Sequence, residues 1–212
     1  MKFEIFLKQI SKLKKMPLPG VEAQAKLAPL MRLEELSNIN MEELNPQEAG
    51  VMAVFYPNFN GDTFLVLILR KTYQGVHSNQ VGFPGGRVEP GDRDLEATAL
   101  RETQEEVGIP VEAIEVIKKM TRLYIPPSNF WVQPYVGILQ KTPVLIAQDT
   151  EVEKILEVDL EDFLQEKNVV SHKLNTSYAQ NIDVPAYLLN EQIVWGATAM
   201  MLAEIREMLA KI

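Results

Sequence analysis

Apolar residues Phe3, Phe6, Ile10 and Leu13 recur at intervals of three and four, which predicts an amphipathic helix over residues 2–14. Met16-Pro17-Leu18-Pro19-Gly20 stops it, because proline offers no amide donor and glycine favours turns. Residues 21–50 show few strand signals and predict short helices and loops. The first 48 residues therefore suggest a helical extension packed on a main domain over 49–212.

From Val51 the pattern changes. The apolar run Val51-Met52-Ala53-Val54-Phe55-Tyr56 predicts a strand, Asn58-Phe59-Asn60-Gly61-Asp62 a turn, and Thr63 to Leu69 a second strand, together a β-hairpin. After a loop at 71–80, residues 95–107 fit a helix with Leu95, Ala99, Leu100, Thr103 and Val107 inward and Gly108 as its stop. Ile114 to Leu123 and Trp131 to Leu139 predict strands on either side of Pro126-Pro127-Ser128-Asn129. Lys154 to Asp159 predicts another, followed by a helical turn at Leu160 to Leu164. A final helix over 194–211 carries Met201, Ile205, Met208 and Leu209 at core spacing. With strands on both sides of one central helix, a mixed α/β (α+β) sandwich is favoured over a barrel.

The chain has 212 residues, 46% hydrophobic and 24% charged, which suits one compact domain with additions. Its net charge of −8 argues against a nucleic-acid backbone as partner, since counterion release needs clustered lysine and arginine. With no cysteine, thiolate metal sites and cysteine nucleophiles are excluded. No apolar stretch reaches membrane-spanning length, and the N-terminus does not read as a signal peptide, so a cytoplasmic location without membrane attachment is expected. Lys12, Lys14 and Lys15 form a small basic cluster that could sit near a phosphate, though it fits a solvated face better. The amphipathic first helix could equally pack on its own domain or form a homodimer contact.

The chemistry concentrates in Arg101-Glu102-Thr103-Gln104-Glu105-Glu106-Val107-Gly108. Glu105 and Glu106 follow Glu102 by three and four positions and so share one helical face with it. Crowded carboxylates repel unless cations neutralise them, and hard oxygen ligands suit Mg²⁺ or Mn²⁺. A solvated acidic face explains the octet alone equally well. Upstream, Gly85-Gly86 and Glu89-Pro90-Gly91-Asp92 form a loop whose glycines let backbone groups approach a ligand closely.

Gly86 through Ile109 resembles the Nudix box: Gly, five residues, Glu, seven residues, then Arg-Glu-U-X-Glu-Glu-X-Gly-U, with U a bulky aliphatic. Arg101, Glu102, Glu105, Glu106, Gly108 and Ile109 match the second half, with Thr103 at the first U. The first half departs: the acid is Asp92, and eight residues separate it from Arg101. The resemblance implies a Nudix α/β/α sandwich, hydrolysis of a nucleoside diphosphate derivative, and Mg²⁺ or Mn²⁺ held by Gly86, Glu102, Glu105 and Glu106, with Arg101 orienting a carboxylate. The general base is open between Glu102 and a later acid. Of Glu151 and Glu153, Glu151 is preferred.

The segment before the box is similar to the signature of the coenzyme A pyrophosphatase subgroup, with Leu67, Arg70 and Phe83-Pro84-Gly85-Gly86 in matching positions and His77 and Gln80-Val81 like residues of that subgroup. Val66, Ile68, Lys71, Gly75 and Asn79 depart from it, and Gly75 removes an arginine. By this resemblance the substrate is coenzyme A, with acyl and oxidised forms also fitting. Arg70, His77, Gln80, Phe83 and Tyr124 are the candidate substrate contacts. Tyr124 and Phe130 could stack on adenine or pack in the core. A Nudix hydrolase of ADP-ribose or another nucleoside diphosphate derivative is the nearest alternative, and a non-catalytic Nudix-fold binding module a more distant one.

Overall fold

A computed structural model describes residues 1–32, 44–72, 79–174 and 182–212. Strand β1 (Gln47–Pro57) is the axis of the molecule. It turns through 58–62 into β2 (Thr63–Arg70), pairing antiparallel at Phe55↔Leu65 and Tyr56↔Phe64 as the hairpin pattern predicts. Beyond those positions the two strands part. The wedge between them is filled by β3 (Val81–Gly82), paired with β2, and β4 (Gly85–Arg87), paired with β1 at Gly50↔Gly86. The other edge of β1 runs parallel to β7 (Phe130–Ile138) from Gln47↔Phe130 to Phe55↔Ile138. β5 (Glu115–Lys119) and β6 (Leu123–Ile125) pair with β7, and β8 (Val152–Asp159) with β2. β9 (Val169–Leu174), β10 (Ile182–Leu189) and β11 (Gln192–Trp195) form a separate antiparallel sheet.

The alternation of side chains along a strand makes the layers. On β1, Val51, Ala53 and Phe55 join a core with helix α1 (Phe3–Lys15) and the C-terminal helix. Met52, Val54 and Tyr56 face the opposite core, with Ala99, Leu100 and Val107 of the central helix. Helix α2 (Val21–Ala25) follows α1, the central helix α3 is Leu95–Val107, α4 is Leu160–Leu164 and α5 is Gly196–Leu209. Helices thus cover both faces of a mixed sheet, the predicted α+β sandwich. Among the described residues no helix is long and apolar enough to cross a membrane.

α1 buries Phe3, Phe6, Ile10 and Leu13, the four residues that gave its period. Phe6 lies 5.3 Å from the ring of Phe55, inside the main core. Farther along, α2 is held by the buried Glu204 of α5, whose carboxylate accepts from the Gly20 N–H (3.0 Å), Gln24 Nε2 (3.2 Å) and the Thr121 hydroxyl (2.5 Å). α3 sits directly on β1 at Gly50, where a Cβ would fall 2.2 Å from the Leu95 carbonyl oxygen. Only glycine admits that approach.

Several boundaries differ from the sequence pattern. β1 begins four residues before Val51, where parallel pairing with β7 recruits Gln47 to Gly50. The strand expected from Ile114 to Leu123 is two, because the chain leaves the sheet after Lys119 and returns at Leu123 on another stretch of β7. The C-terminal helix starts at Gly196, after β11 has taken up residues 192–195. The second sheet had no clear signal: β9 is only partly buried, and β10 carries Pro185.

Candidate active site

Helix α3 begins at Asp94, whose carboxylate accepts from the Ala97 N–H at 2.8 Å, a side-chain N-cap. It ends at Gly108 in the left-handed conformation. Between these caps the helical period turns Glu106 into the protein and Glu105 towards solvent, with side-chain exposures of 2% and 53%; Glu102 lies between them. The segment β3–β4, wedged beside β1, brings Gly85 and Gly86 against these acids.

Glu106 is the most constrained of the three. One carboxylate oxygen accepts the Gly85 N–H at 2.7 Å, and the other accepts from the Arg70 guanidinium at 3.1 Å. The same guanidinium donates to the Gly85 carbonyl at 2.7 Å, so the end of β2, the start of β4 and α3 close on one point. Burial nevertheless pushes the Glu106 carboxyl up to about 7, against the pull of Arg70 and the Gly85 N–H; the charges of Glu102 and Glu151 add to the rise. Glu102 is also raised by burial, with Arg101 opposing. Its carboxylate occupies the place a side chain at residue 86 would need: a Cβ on Gly86 would sit 2.5 Å from Oε1.

Arg101 gathers the loop and the helix. It makes a two-pronged ion pair with Asp92, Nε to Oδ1 and Nη2 to Oδ2, both at 3.0 Å. It also donates to Glu102 and Glu105 at 3.0 Å and to the Arg87 carbonyl at 3.1 Å. Asp92 further accepts from the Thr98 hydroxyl and the Glu89 N–H, both at 2.9 Å. The hydrogen bonds from Arg101 above all hold its carboxyl down at about 2. The altered spacing at Asp92 is thus absorbed by the loop: the shorter acid still reaches Arg101 and locks 86–92 to the helix.

A second loop closes the site from the far side. The Ile146 N–H donates to the Val107 carbonyl and the Gln148 N–H to the Glu106 carbonyl, each at 3.0 Å, satisfying the last carbonyls of α3. The chain then turns, and the Lys71 N–H donates to the Glu151 carbonyl at 2.9 Å. Glu151 faces Glu102 and Glu106 closely enough to raise the pKa of both.

One cavity is lined by Arg70, Gly85, Gly86, Arg87, Glu89, Glu102, Glu105, Glu106, Gln148 and Glu151. It brings together Arg70, the box glutamates, Gly86 and Glu151 from four distant stretches of sequence. Phe83 lies elsewhere, 2% exposed in the core shared with α1 and α5. Tyr124 is also buried, its hydroxyl donating to Asn129 at 2.8 Å and its ring 5.4 Å from Trp131. Neither lines the cavity. The Gln80 carbonyl accepts from the Arg70 N–H at 3.0 Å, which fixes the end of β2. His77 lies outside the described residues. Gln148, which lines the cavity and holds the Glu151 turn, had no distinguishing signal in the sequence.

Among the described residues no three acidic or histidine side chains converge tightly enough to hold a metal ion as they stand. Two arginines occupy the carboxylates instead. The donor set still fits a hard divalent cation: several carboxylates line one polar cavity beside Gly85 and Gly86, and burial with mutual repulsion disfavours the charges of Glu102 and Glu106.

A mixed sheet between helices, with a capped helix and a glycine-bearing strand bringing acids to one cleft, defines an α+β sandwich with an acidic site. The chain belongs to the Nudix family: residues 46–177 match the NUDIX domain. It is 32% identical over 145 residues to the uncharacterized Nudix hydrolase NudL of Yersinia pestis, covering 68% of this chain and 71% of that protein. The fold is similar to that of the Nudix hydrolase RenU from M. smegmatis (TM-score 0.54, 13% identity, 79% of this chain and 88% of that one). It is also similar to that of the MutT protein from Methanosarcina mazei Go1 (TM-score 0.50, 16% identity, 80% and 100%).

Proposed function

We propose that this protein is a Mg²⁺- or Mn²⁺-dependent hydrolase that cleaves the diphosphate of coenzyme A, giving 3′,5′-ADP and 4′-phosphopantetheine. The observation that carries the reaction type is the convergence of Gly86, Glu102, Glu105, Glu106 and Glu151 on one cavity. In this reading Gly86 and the three box glutamates hold the ion. Once bound there, the ion offsets diphosphate charge and lowers the pKa of the attacking water.

Glu151 is the proposed general base. Among the described residues no group donates to its carboxylate, whereas Glu102 and Glu106 are engaged by Arg101 and Arg70. A carboxylate in the cavity that neither arginine engages is suited to take the proton as the water oxygen bonds to phosphorus and the bridging P–O bond breaks. Arg101, fixed by Asp92, sets the Glu102 and Glu105 carboxylates. Arg70 holds Glu106 and lies in the cavity, where its exposed edge can meet a phosphate oxygen. The choice of coenzyme A rests on the likeness of the Arg70 to Gly86 segment to the coenzyme A pyrophosphatases.

Product analysis with Mg²⁺ or Mn²⁺ on coenzyme A, 3′-dephospho-coenzyme A and ADP-ribose tests the reading. Preferential release of 3′,5′-ADP from coenzyme A supports it, and equal turnover of all three removes the coenzyme A assignment. Unchanged hydrolysis by Glu102→Gln would remove the catalytic one.

A further inference from the structure

The turn that carries Glu151 is tied by the Gln148 side chain, with the Lys71 ammonium also donating to the Asp149 carbonyl. The Gln148 Oε1 accepts the Glu151 N–H at 2.8 Å, the Thr150 hydroxyl at 2.9 Å and the Thr150 N–H at 3.2 Å. An amide oxygen has two lone pairs, so three donors share it, and the shortest contact goes to Glu151. The backbone of the same residue reaches both ways. Its N–H bonds the Glu106 carbonyl at 3.0 Å, and its carbonyl accepts the Val152 N–H at 3.0 Å as β8 begins. Val152 in turn pairs with Arg70. Gln148 is therefore the link between the helix that presents Glu106 and the turn that presents Glu151, and it lines the cavity between them.

Among the described residues the ties that hold Glu151 run through its backbone. That backbone is anchored through its carbonyl by the Lys71 N–H, and through its N–H by Gln148, whose side-chain oxygen is the nearer acceptor at 2.8 Å and whose backbone carbonyl lies at 3.3 Å. Losing the side-chain oxygen leaves the Glu151 N–H only the longer 3.3 Å bond to the Gln148 carbonyl and leaves both Thr150 donors without that acceptor, which loosens the turn that presents the carboxylate.

We propose that Gln148 is the positioning residue for Glu151, setting the base relative to the glutamates of α3 through its side-chain oxygen. This rests on Glu151 being the general base. Its role is in the rate of the chemical step rather than in substrate binding.

The test uses Gln148→Met, which keeps the length of the side chain and removes the acceptor, together with Glu151→Gln and the double variant. Each is assayed on whichever of the three compounds above the unaltered protein cleaves fastest. E151Q is expected to lower kcat by roughly 10²-fold or more, and Q148M by roughly tenfold with KM within about twofold. The double variant should be no slower than E151Q, because Gln148 acts through Glu151. Amide hydrogen exchange in the free protein should speed up at Thr150 and Glu151 in Q148M, a change independent of turnover. A Q148M enzyme with unaltered kcat, a raised KM at unaltered kcat, or a double variant slowed by the product of the two single effects overturns the positioning role. If E151Q keeps the unaltered rate, the base assignment fails first and the inference with it; a slow E151Q beside a normal Q148M overturns the inference alone.

Discussion

Gly86 shows how a single missing methyl group shapes the site. A Cβ there would meet the Glu102 carboxylate at 2.5–2.8 Å, and that carboxylate is the flexible end of a side chain. Gly86→Ala should therefore displace Glu102 while leaving the fold within about 0.5 kcal/mol of the original. Hydrolysis assays should show a loss of roughly tenfold or more, and urea unfolding an unchanged midpoint. Glu106 offers a pH signature at the same scale. Its folded pKa of about 7 lies above the ordinary 4.5, so the native state holds a proton that the unfolded chain has released. Stability from this group is highest below about pH 4.5, declines as pH rises towards 7, and then levels off. In chelator-treated protein, Glu106→Gln should remove that decline, and the melting temperature of the variant should gain on the original between pH 5 and 7. The glutamate triplet was legible in the sequence because helical spacing and the box fix it. Gln148 was not, because its partners lie in a turn whose geometry is set by neighbours far along the chain.

At the scale of elements, the decisive contact is α3 on β1. The Leu95 carbonyl and Ala99 N–H lie over Gly50, and both are backbone atoms that cannot swing aside. Gly50→Ala is expected to lift the helix and cost about 1–3 kcal/mol in chemical unfolding. It should also lower activity, because the glutamates move relative to β4. The hairpin β1–β2 and helix α3 followed from local patterns: a turn between apolar runs, an N-cap and a C-terminal glycine. The break between β5 and β6 and the wedge of β3 and β4 did not, because pairing with a distant strand decides where a short segment joins or leaves a sheet.

For the whole molecule, the place of the first helix matters. The sequence suggests an extension over 1–48 packed on the main domain, and α1 shares its core with β1, β2 and α5. Phe6→Ala should lower stability by about 3–5 kcal/mol if that core is continuous. A thermal melt unaltered by the substitution would instead mark α1 as a detachable arm. The acidic net charge of −8 belongs to this scale too: it coexists with a site whose acids are held by Arg70 and Arg101, so overall charge says little about what the cleft accepts.

By itself the sequence determined the central helix, its three glutamates, the hairpin and the α+β class, because capping, periodicity and turn chemistry act over a few residues. Tertiary structure decided which side of α3 is buried against Gly85 and Gly86, how Asp92 reaches Arg101 across an altered spacing, that Phe83 and Tyr124 pack away from the cavity, and that Glu151 faces the box. Each of these depends on contacts between segments tens of residues apart, and residue spacing carries no record of such contacts until the chain has packed.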